Sequence, residues 1–153
     1  MQVTRASDYA IRVMIHLASV PAGERQSLAG LARATGAPES FLAKILQSLS
    51  RAELIVSRRG KAGGFELLAL GRQSSMREVI EAIEGPVLLN LCLHSSENCD
   101  QKQHCLPHRA WEKAQQAMLA VLDTTMIADM AAQDTQRPVV IELPDADAKM
   151  TGS

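Results

Sequence analysis

FLAKILQSLSRAELIVSRRGKAGGFEL, residues 41–67, joins a helical pattern to a hairpin pattern and determines the architecture expected for this chain. Apolar residues recur at steps of three and four in its first part, which predicts an amphipathic helix. The residues expected on the buried side of that helix are Phe41, Leu42, Ile45, Leu46 and Leu49. In its second part, Ile55 and Val56 begin a β-type run, a basic glycine-rich tip covers residues 57–64, and residues 65–70 return as a strand.

A shorter helix is expected just before this stretch. Ser27 is placed to cap it, Gly36 to end it, and Pro38 can begin the next helix where its missing N–H costs nothing. A short helix, a tight turn and a longer helix predict a helix-turn-helix, whose second helix would enter the major groove of DNA. The small and polar residues expected to face the groove are Ser40, Lys44, Gln47 and Ser48.

The hairpin tip strengthens the DNA-binding interpretation. Three cations on a flexible turn can contact phosphates or enter the minor groove, and glycines allow a close backbone approach. These cations are Arg58, Arg59 and Lys61. The sequence therefore predicts a mainly α-helical winged helix-turn-helix with a small β-hairpin wing, which binds double-stranded DNA.

Composition and charge distribution agree with this prediction. Hydrophobic residues make up 46% of the chain but aromatic residues only 3%, so the core must be aliphatic, which favours helices. The net charge is −1, yet residues 1–73 carry ten Lys or Arg against five Asp or Glu, and the remainder carries six against twelve. The basic half is thus the one expected to bind DNA.

Other classes of protein find little support in the sequence. No apolar run has signal-peptide length or approaches the ~20 residues of a membrane span, so we expect a cytoplasmic protein that does not contact membranes. No paired carboxylates, nucleophile triad or nucleotide-binding loop is recognisable either. We therefore do not expect an enzyme.

Two further helices flank the DNA-binding pattern. The first is expected over residues 7–19, with Ser7 as its cap and Asp8 in its first turn. The second begins at a capping box formed by Ser75 and Glu78 and ends at residues 85–86. We expect it to pack against the first helix and to link the DNA-binding module to the segment that follows.

That segment, residues 92–108, holds all three cysteines of the chain and three of its four histidines. Cys92, Cys99 and Cys105 are separated by gaps of six and five residues, and His108 follows three positions later. Three thiolates need a fourth donor to bind zinc or an iron-sulfur cluster, the two metal centres that soft sulfur ligands favour. The tight knuckle of structural zinc is absent, which favours a cluster and leaves zinc and redox-active thiols as alternatives.

A long helix is expected from Pro107 to about Asp123. Apolar residues recur along it at alternating steps of three and four, which predicts contact with a second helix and a homodimer, with an ordinary buried helix as the alternative. The residues of this dimerisation seam are Trp111, Ala114, Met118 and Val121. A short last helix over residues 126–132 and a largely disordered tail over residues 133–153 are expected to follow.

These patterns divide the chain into regions. The predicted DNA-binding region is 1–73, the linking helix and loop 74–91, the cysteine loop 92–108, the dimerisation helix with the short last helix 107–132, and the tail 133–153.

In this order, the patterns resemble the Rrf2 family of bacterial winged-helix transcription regulators over about residues 1–132. The resemblance is carried by SDYAIRVMIHLA, by the stretch quoted first, by MREVIEAIEG and by the three-cysteine loop ending in CLPH. Glu53 departs from it, because the family often has glycine there. The resemblance implies a homodimer that binds a pseudo-palindromic operator, and an iron-sulfur cluster held by Cys92, Cys99 and Cys105.

Two fourth ligands are compatible with the resemblance. In the iron-sulfur assembly regulator type, a histidine at the position of His108 completes a 2Fe-2S site. In the nitric-oxide sensor type, an aspartate at the position of Asp8, supplied by the other subunit, completes a 4Fe-4S site, and the first helix favours this type. The implied function is cluster-controlled regulation in response to nitric oxide, redox state or iron and cluster supply; the alternative is a cluster-free regulator that senses zinc or thiol redox state.

Overall fold

The computed structural model describes residues 3–93 and 105–134 and has the expected, mainly helical architecture with a hairpin. Its elements, in chain order, are α1 (Arg5–Ser19), α2 (Leu28–Thr35), α3 (Glu39–Arg51), β1 (Ile55–Arg58), β2 (Gly64–Leu67), α4 (Ala69–Arg72), α5 (Met76–Glu84), a 3₁₀ turn (Leu91–Leu93), α6 (Leu106–Thr124) and α7 (Ile127–Asp134). Residues 94–104 and 135–153 lie outside the described part of the chain, and with them Cys99, two loop histidines and most of the predicted disordered tail. The prediction that this tail begins at residue 133 is wrong, because α7 continues to Asp134.

The core is built around α1, which packs against α2, α3, α5 and α7. Its largest fully buried side chains are aliphatic apart from Ser7, as the low aromatic content predicts. Met14 and Leu17 come from α1, Leu42 and Leu46 from α3, and Ile80 from α5. The predicted packing of α5 against α1 is confirmed, so the DNA-binding module and the helix that leads toward the cysteines share one core.

The helix-turn-helix forms where the capping residues predict it. The Ser27 hydroxyl accepts a hydrogen bond from the Gly30 N–H at 3.0 Å, and Gly36 ends α2 with a left-handed φ of 70°. The prediction that Phe41 lies on the buried side of α3 is wrong, because its side chain is 37% exposed. Its ring meets Tyr9 of α1 edge to face at 5.9 Å, so it covers the helix pair from outside.

The wing is a two-stranded antiparallel hairpin in which Ile55 pairs with Leu67 and Arg58 with Gly64. Its second strand is shorter than predicted, since residues 69–72 form α4. The Leu68 N–H donates to the Leu54 carbonyl at 3.1 Å, and a Cβ on Gly71 would meet that same oxygen at 2.1 Å. The hairpin therefore ends before Leu68, because the backbone of residues 68–71 packs closely against the Leu54 carbonyl, just after α3.

The start of α1 also differs from the prediction. The helix begins at Arg5, and its cap is Thr4, whose hydroxyl accepts from the Ser7 N–H at 3.4 Å. Ser7 is fully buried in the first turn, and its own hydroxyl donates to Glu84 at the end of α5. The role of Ser7 thus depends on a residue 77 positions away, and the sequence around Ser7 does not predict it.

The C-terminal helices return to the DNA-binding module. The predicted capping box at α5 is confirmed, with the Ser75 N–H donating to Glu78 at 2.7 Å. Beside it, the Met76 N–H donates to the Thr125 carbonyl at 2.8 Å, and the Ile127 N–H donates to the Ser74 carbonyl at 3.0 Å. Within the described part of the chain, no helix has both the length and the apolar character that crossing a membrane requires.

Candidate functional site

The predicted groove-facing residues of α3 lie opposite its buried side. Ser40, Lys44 and Gln47 are exposed and Ser48 is half-buried, whereas Leu42 and Leu46 are fully buried. This separation follows from the helical repeat, because residues three and four apart share a face. The helix therefore presents an exposed polar surface whose side chains can hydrogen-bond to base edges and phosphates.

The wing tip exposes its three cations, Arg58, Arg59 and Lys61. The Gly63 N–H donates to the Gly60 carbonyl at 2.9 Å and closes the turn. A Cβ on Gly63 would lie 2.5 Å from the carbonyl oxygen of Arg58, so the turn requires glycine there. The tip is thus a tight basic turn.

A cleft of about 460 Å³ separates α3 from the wing. It is lined by Ala43, Gln47, Ser50, Arg51, Ser57 and Phe65. Sequence reasoning identified Gln47 as a site residue but missed the cleft, whose wing side is formed by Ser57 and Phe65. These two residues are paired across the hairpin, and only the register of the strands could have indicated their shared position.

Two of the predicted metal ligands meet at the start of α6. Cys92 lies in the 3₁₀ turn, and Cys105 is the residue that precedes α6. His108, in the first turn of α6, is only 6% exposed, and its Nδ1 lies 3.4 Å from the Cys92 Sγ. The fold therefore brings a thiol and an imidazole together from segments separated by the cysteine loop.

Cys99, the middle cysteine, lies outside the described residues. In residues 3–93 and 105–134, no group of three or more His, Cys, Asp or Glu side chains is arranged to hold a metal ion. The donor types that do meet are nevertheless suitable, because sulfur and imidazole nitrogen are ligands of both zinc and iron-sulfur clusters. Cys92 and His108 thus fit two positions of such a site.

Asp8 is an exposed residue in the first turn of α1. Its carboxylate forms an ion pair with Arg12, one helical turn later, at 3.0 Å, and both side chains are more than half exposed. The Arg12 guanidinium also lies 5.9 Å from the centre of the Tyr9 ring. The structure therefore gives Asp8 an ion-pair partner in its own helix, which a ligand role would have to displace.

A family model described as "Rrf2: Iron-dependent Transcriptional regulator" matches residues 3–133. The chain belongs to the Rrf2 family. The expected winged-helix regulator class is thereby confirmed, and membership of a family of transcription regulators agrees with the expectation that the chain is not an enzyme.

Solved structures support the same fold for this Rrf2 protein. CymR (YrzC), the global cysteine regulator of B. subtilis, is 24% identical with a TM-score of 0.67, over 87% of this chain and 98% of CymR. IscR of T. potens is 24% identical with a TM-score of 0.70, over 90% and 93% of the two chains. The oxidised form of Staphylococcus aureus CymR is 23% identical with a TM-score of 0.64, over 86% and 96%.

In this Rrf2 protein, the first turn of α1 is tied to the end of α5 by Glu84. One oxygen of its carboxylate accepts from the Thr4 N–H at 3.1 Å, from the Thr4 hydroxyl at 2.9 Å and from the Ser7 hydroxyl. Partial burial raises the pKa of Glu84, but the hydrogen bonds from Ser7 and Thr4 outweigh burial, so its pKa lies below the ordinary value. Sequence reasoning missed Glu84 because its partners lie in another helix.

The opposite side of α5 contacts α6 through ionic groups. Arg77 lies 3.0 Å from Glu81 and 3.2 Å from Asp123 of α6. The hydrogen bond to Glu81 is the largest influence and raises the pKa of Arg77, so its charge is permanent. The Leu89 N–H donates to the Gln115 side chain at 2.9 Å, which holds the segment before Cys92 against α6.

The long helix α6 exposes an apolar strip that differs in part from the predicted seam. Trp111 is 44% and Val121 63% exposed, and Ala114 is exposed as well, but Met118 is partly buried against the core of its own subunit. The exposed small apolar residues at helical spacing are Ala110, Ala114, Ala117 and Val121. This strip is a surface suited to a second helix.

Proposed function

We propose that this Rrf2 protein binds operator DNA as a homodimer and that an iron-sulfur cluster, held by Cys92, Cys99 and Cys105 with a fourth ligand, controls its affinity for DNA. The observation that carries the proposal is the 3.4 Å approach of the His108 Nδ1 to the Cys92 Sγ beside Cys105 at the start of α6. It supports a binding site at the junction between the cysteine loop and the proposed dimerisation helix.

The DNA-binding part of the proposal is supported by charge and exposure. The α3 residues Ser40, Lys44, Gln47 and Ser48 would face base edges, and the wing cations Arg58, Arg59 and Lys61 would contact the backbone. Two copies related by a twofold axis would read a pseudo-palindromic operator, since each half-site meets one recognition helix.

The cluster would supply an iron that reacts with nitric oxide or oxygen and a centre whose charge changes with redox state. The protein would supply three thiolates, and the hydrogen bond that the Cys92 N–H donates to the Asn90 Oδ1, at 3.4 Å, helps to fix the backbone of the first of them. Because Cys92 follows α5 and Cys105 precedes α6, a change in ligation would alter the relative position of these two helices.

The fourth ligand distinguishes two forms of the proposal. The resemblance of α1 to the sensor type favours Asp8 of the partner subunit and a 4Fe-4S cluster, for which Asp8 must leave its ion pair with Arg12. The distance between His108 and Cys92 favours His108 and a 2Fe-2S cluster within one subunit. Of the two side chains, His108 is the one that the described geometry supports directly.

Native mass spectrometry of anaerobically purified protein tests both forms. We expect a dimer that carries an iron-sulfur cluster, with either the Asp8→Ala or the His108→Ala variant losing most of it. A 2Fe-2S dimer lost chiefly in His108→Ala establishes the ligand within the subunit, and a 4Fe-4S dimer lost chiefly in Asp8→Ala establishes the shared ligand. Equal DNA affinity with and without cluster, measured on the same preparation, contradicts cluster control.

A second candidate function is regulation by zinc or by thiol oxidation without a cluster. It is favoured by the free, half-buried thiols of Cys92 and Cys105 and by the likeness to CymR, one structure of which is an oxidised form. A thiolate next to an imidazole is also a common arrangement for a reactive cysteine. Colourless anaerobic protein that contains zinc, or that changes DNA affinity on reversible oxidation, supports this candidate.

A further inference from the structure

The loop before α2 pairs with the edge of β2 that faces away from β1. The Gln26 N–H donates to the Phe65 carbonyl and the Phe65 N–H donates to the Gln26 carbonyl, each at 2.9 Å. A Cβ on Gly64 would meet the Gln26 carbonyl oxygen at 2.8 Å, so the two backbones are in close contact. The strand β2 is therefore paired on both sides, with β1 and with this loop.

Arg25 extends the contact from the strand to the tip of the wing. Its Nη1 donates to the Ala62 carbonyl at 2.9 Å, and its Nε lies 3.5 Å from the Glu66 carboxylate. The bond to Ala62 is short and charge-assisted. The pair with Glu66 is long and 41% of the Arg25 side chain is exposed, so that pair contributes little by itself.

Ala62 adjoins Lys61, one of the three tip cations, and Phe65 lines the cleft toward α3. The loop before α2 therefore holds the tip through the bond from Arg25 to Ala62 and the cleft side of the wing through the backbone bonds between Gln26 and Phe65. A two-stranded hairpin alone is only marginally ordered in water, so the wing needs a contact of this kind to keep one orientation.

We infer that Arg25 is a positioning residue for DNA binding, which holds the wing at a fixed angle to α3 so that Arg58, Arg59 and Lys61 meet the DNA together. The inference rests on the proposed function, since it assumes that the wing binds DNA. Two nitrogens of Arg25 already face acceptors on the wing. Loss of Arg25 thus changes where the tip cations point while leaving their number unchanged.

The salt dependence of binding separates this role from a direct phosphate contact. Operator DNA is selected from a random duplex library with the full-length protein, and Kd is measured at several KCl concentrations. Arg25→Ala is expected to weaken binding about 5- to 20-fold at every salt concentration with an unchanged slope. Arg59→Ala is expected to reduce the slope by about one. Hydrogen exchange at the amides of residues 60–65 should accelerate in Arg25→Ala only.

Two further variants complete the test. Arg25→Lys keeps the charge, but one ammonium group cannot reproduce the planar fork that reaches both acceptors, so binding should remain weak. Lys113→Ala removes an exposed cation on α6 and should leave the affinity unchanged. Thermal unfolding midpoints should stay within a few degrees of the parent, since the contact lies at the surface.

Several results would overturn the inference. A slope that falls by one in Arg25→Ala, with unchanged exchange in the wing, identifies Arg25 as a phosphate contact. Full recovery of affinity in Arg25→Lys shows that charge alone matters. Unchanged affinity in Arg25→Ala while Arg59→Ala binds weakly overturns the positioning role and leaves the proposed function standing, whereas a parent protein that selects no DNA overturns both.

Discussion

The Thr4 hydroxyl lies 2.9 Å from the Glu84 carboxylate, and this contact joins the first turn of α1 to the last residue of α5. The same oxygen accepts from the Thr4 N–H and from the Ser7 hydroxyl, so a single carboxylate holds the cap residue and the first turn of the helix that carries Asp8. Since Glu84 also precedes the segment leading to Cys92, it connects the two places from which ligands are proposed.

This contact predicts a pH dependence of stability. The folded-state pKa of Glu84 is lowered from its ordinary value of 4.5, so its contribution is present above about pH 4.5 and is lost as pH falls through the folded-state pKa. Glu84→Gln should lower the free energy of unfolding at neutral pH by about 1 kcal/mol or less, because the group is partly exposed. Urea unfolding of both proteins at neutral and acidic pH measures the difference, which should shrink in acid. A difference that stays constant or grows in acid contradicts the assignment.

The turn after α3 predicts a stabilising substitution. Glu53 has a left-handed φ of 58°, the Leu54 N–H bonds to the Leu49 carbonyl, and the Glu53 N–H bonds to the Ser50 carbonyl. This is the helix-ending motif that favours glycine at the position of Glu53. Glu53→Gly should raise the free energy of unfolding by about 0.5–1 kcal/mol, the relief of strain less the entropy of glycine. Glu53→Ala is the control in denaturant unfolding, and it should give no such gain.

The wing tip predicts a change in salt dependence. Arg59 is exposed at the tip of the wing. Arg59→Ala should weaken binding about tenfold at low salt, for operator and unrelated duplexes alike, and should flatten the dependence of log K on log salt by about one. Fluorescence anisotropy titrations measure both effects. A loss confined to the operator would instead show that Arg59 reads a base.

The exposed apolar strip of α6 predicts a substitution that weakens the proposed dimer. Val121→Lys places a charge on this strip and should raise the dimer dissociation constant at least tenfold, because a buried unpaired charge is costly. Gln116→Lys adds the same charge on another side of the helix and should have no such effect. Sedimentation equilibrium distinguishes the two variants. A Val121→Lys protein that dimerises as tightly as the parent would place the interface elsewhere.

The cysteine loop predicts a loss of metal without a loss of fold. Cys99 lies outside the described residues, and the core around α1 forms without it. Cys99→Ala should therefore lose bound iron and visible absorption while the thermal unfolding midpoint of the metal-free protein stays unchanged. Iron analysis and circular dichroism measure this together. An unfolded variant would show that the metal is structural.

Local patterns predicted the caps at Ser27 and Ser75 and the end of α2 at Gly36, because each depends on hydrogen bonds within a few residues. They failed where a distant group decides the outcome. Ser7 was predicted as a cap but is buried and donates to Glu84. Residues 69–70 were predicted as the end of a strand but begin α4, because the Leu68 N–H bonds to the Leu54 carbonyl.

The candidate sites divide in the same way. The helical repeat placed Ser40, Lys44 and Gln47 correctly on the exposed side of α3, since one period determines both faces. The predicted seam of α6 included Met118, which packs against the core, because core and partner surfaces use the same types of apolar residue. Arg25 carried no sequence signal either, since its acceptors on the wing lie 37 and 41 residues away.

The long helix α6 is fastened at both of its ends. At its C-terminal end, the backbone of Thr125 is bonded to Met76 at the start of α5, and at its N-terminal end His108 meets Cys92 just beyond the end of α5. The helix α6 is thus joined to α5 by a backbone hydrogen bond at one end, and to the segment after α5 by the contact between His108 and Cys92 at the other. If the contact between His108 and Cys92 were lost, α6 would keep its attachment at Thr125, its packing through Met118 and the hydrogen bond from Leu89 to Gln115, so displacement would be largest in its first turn.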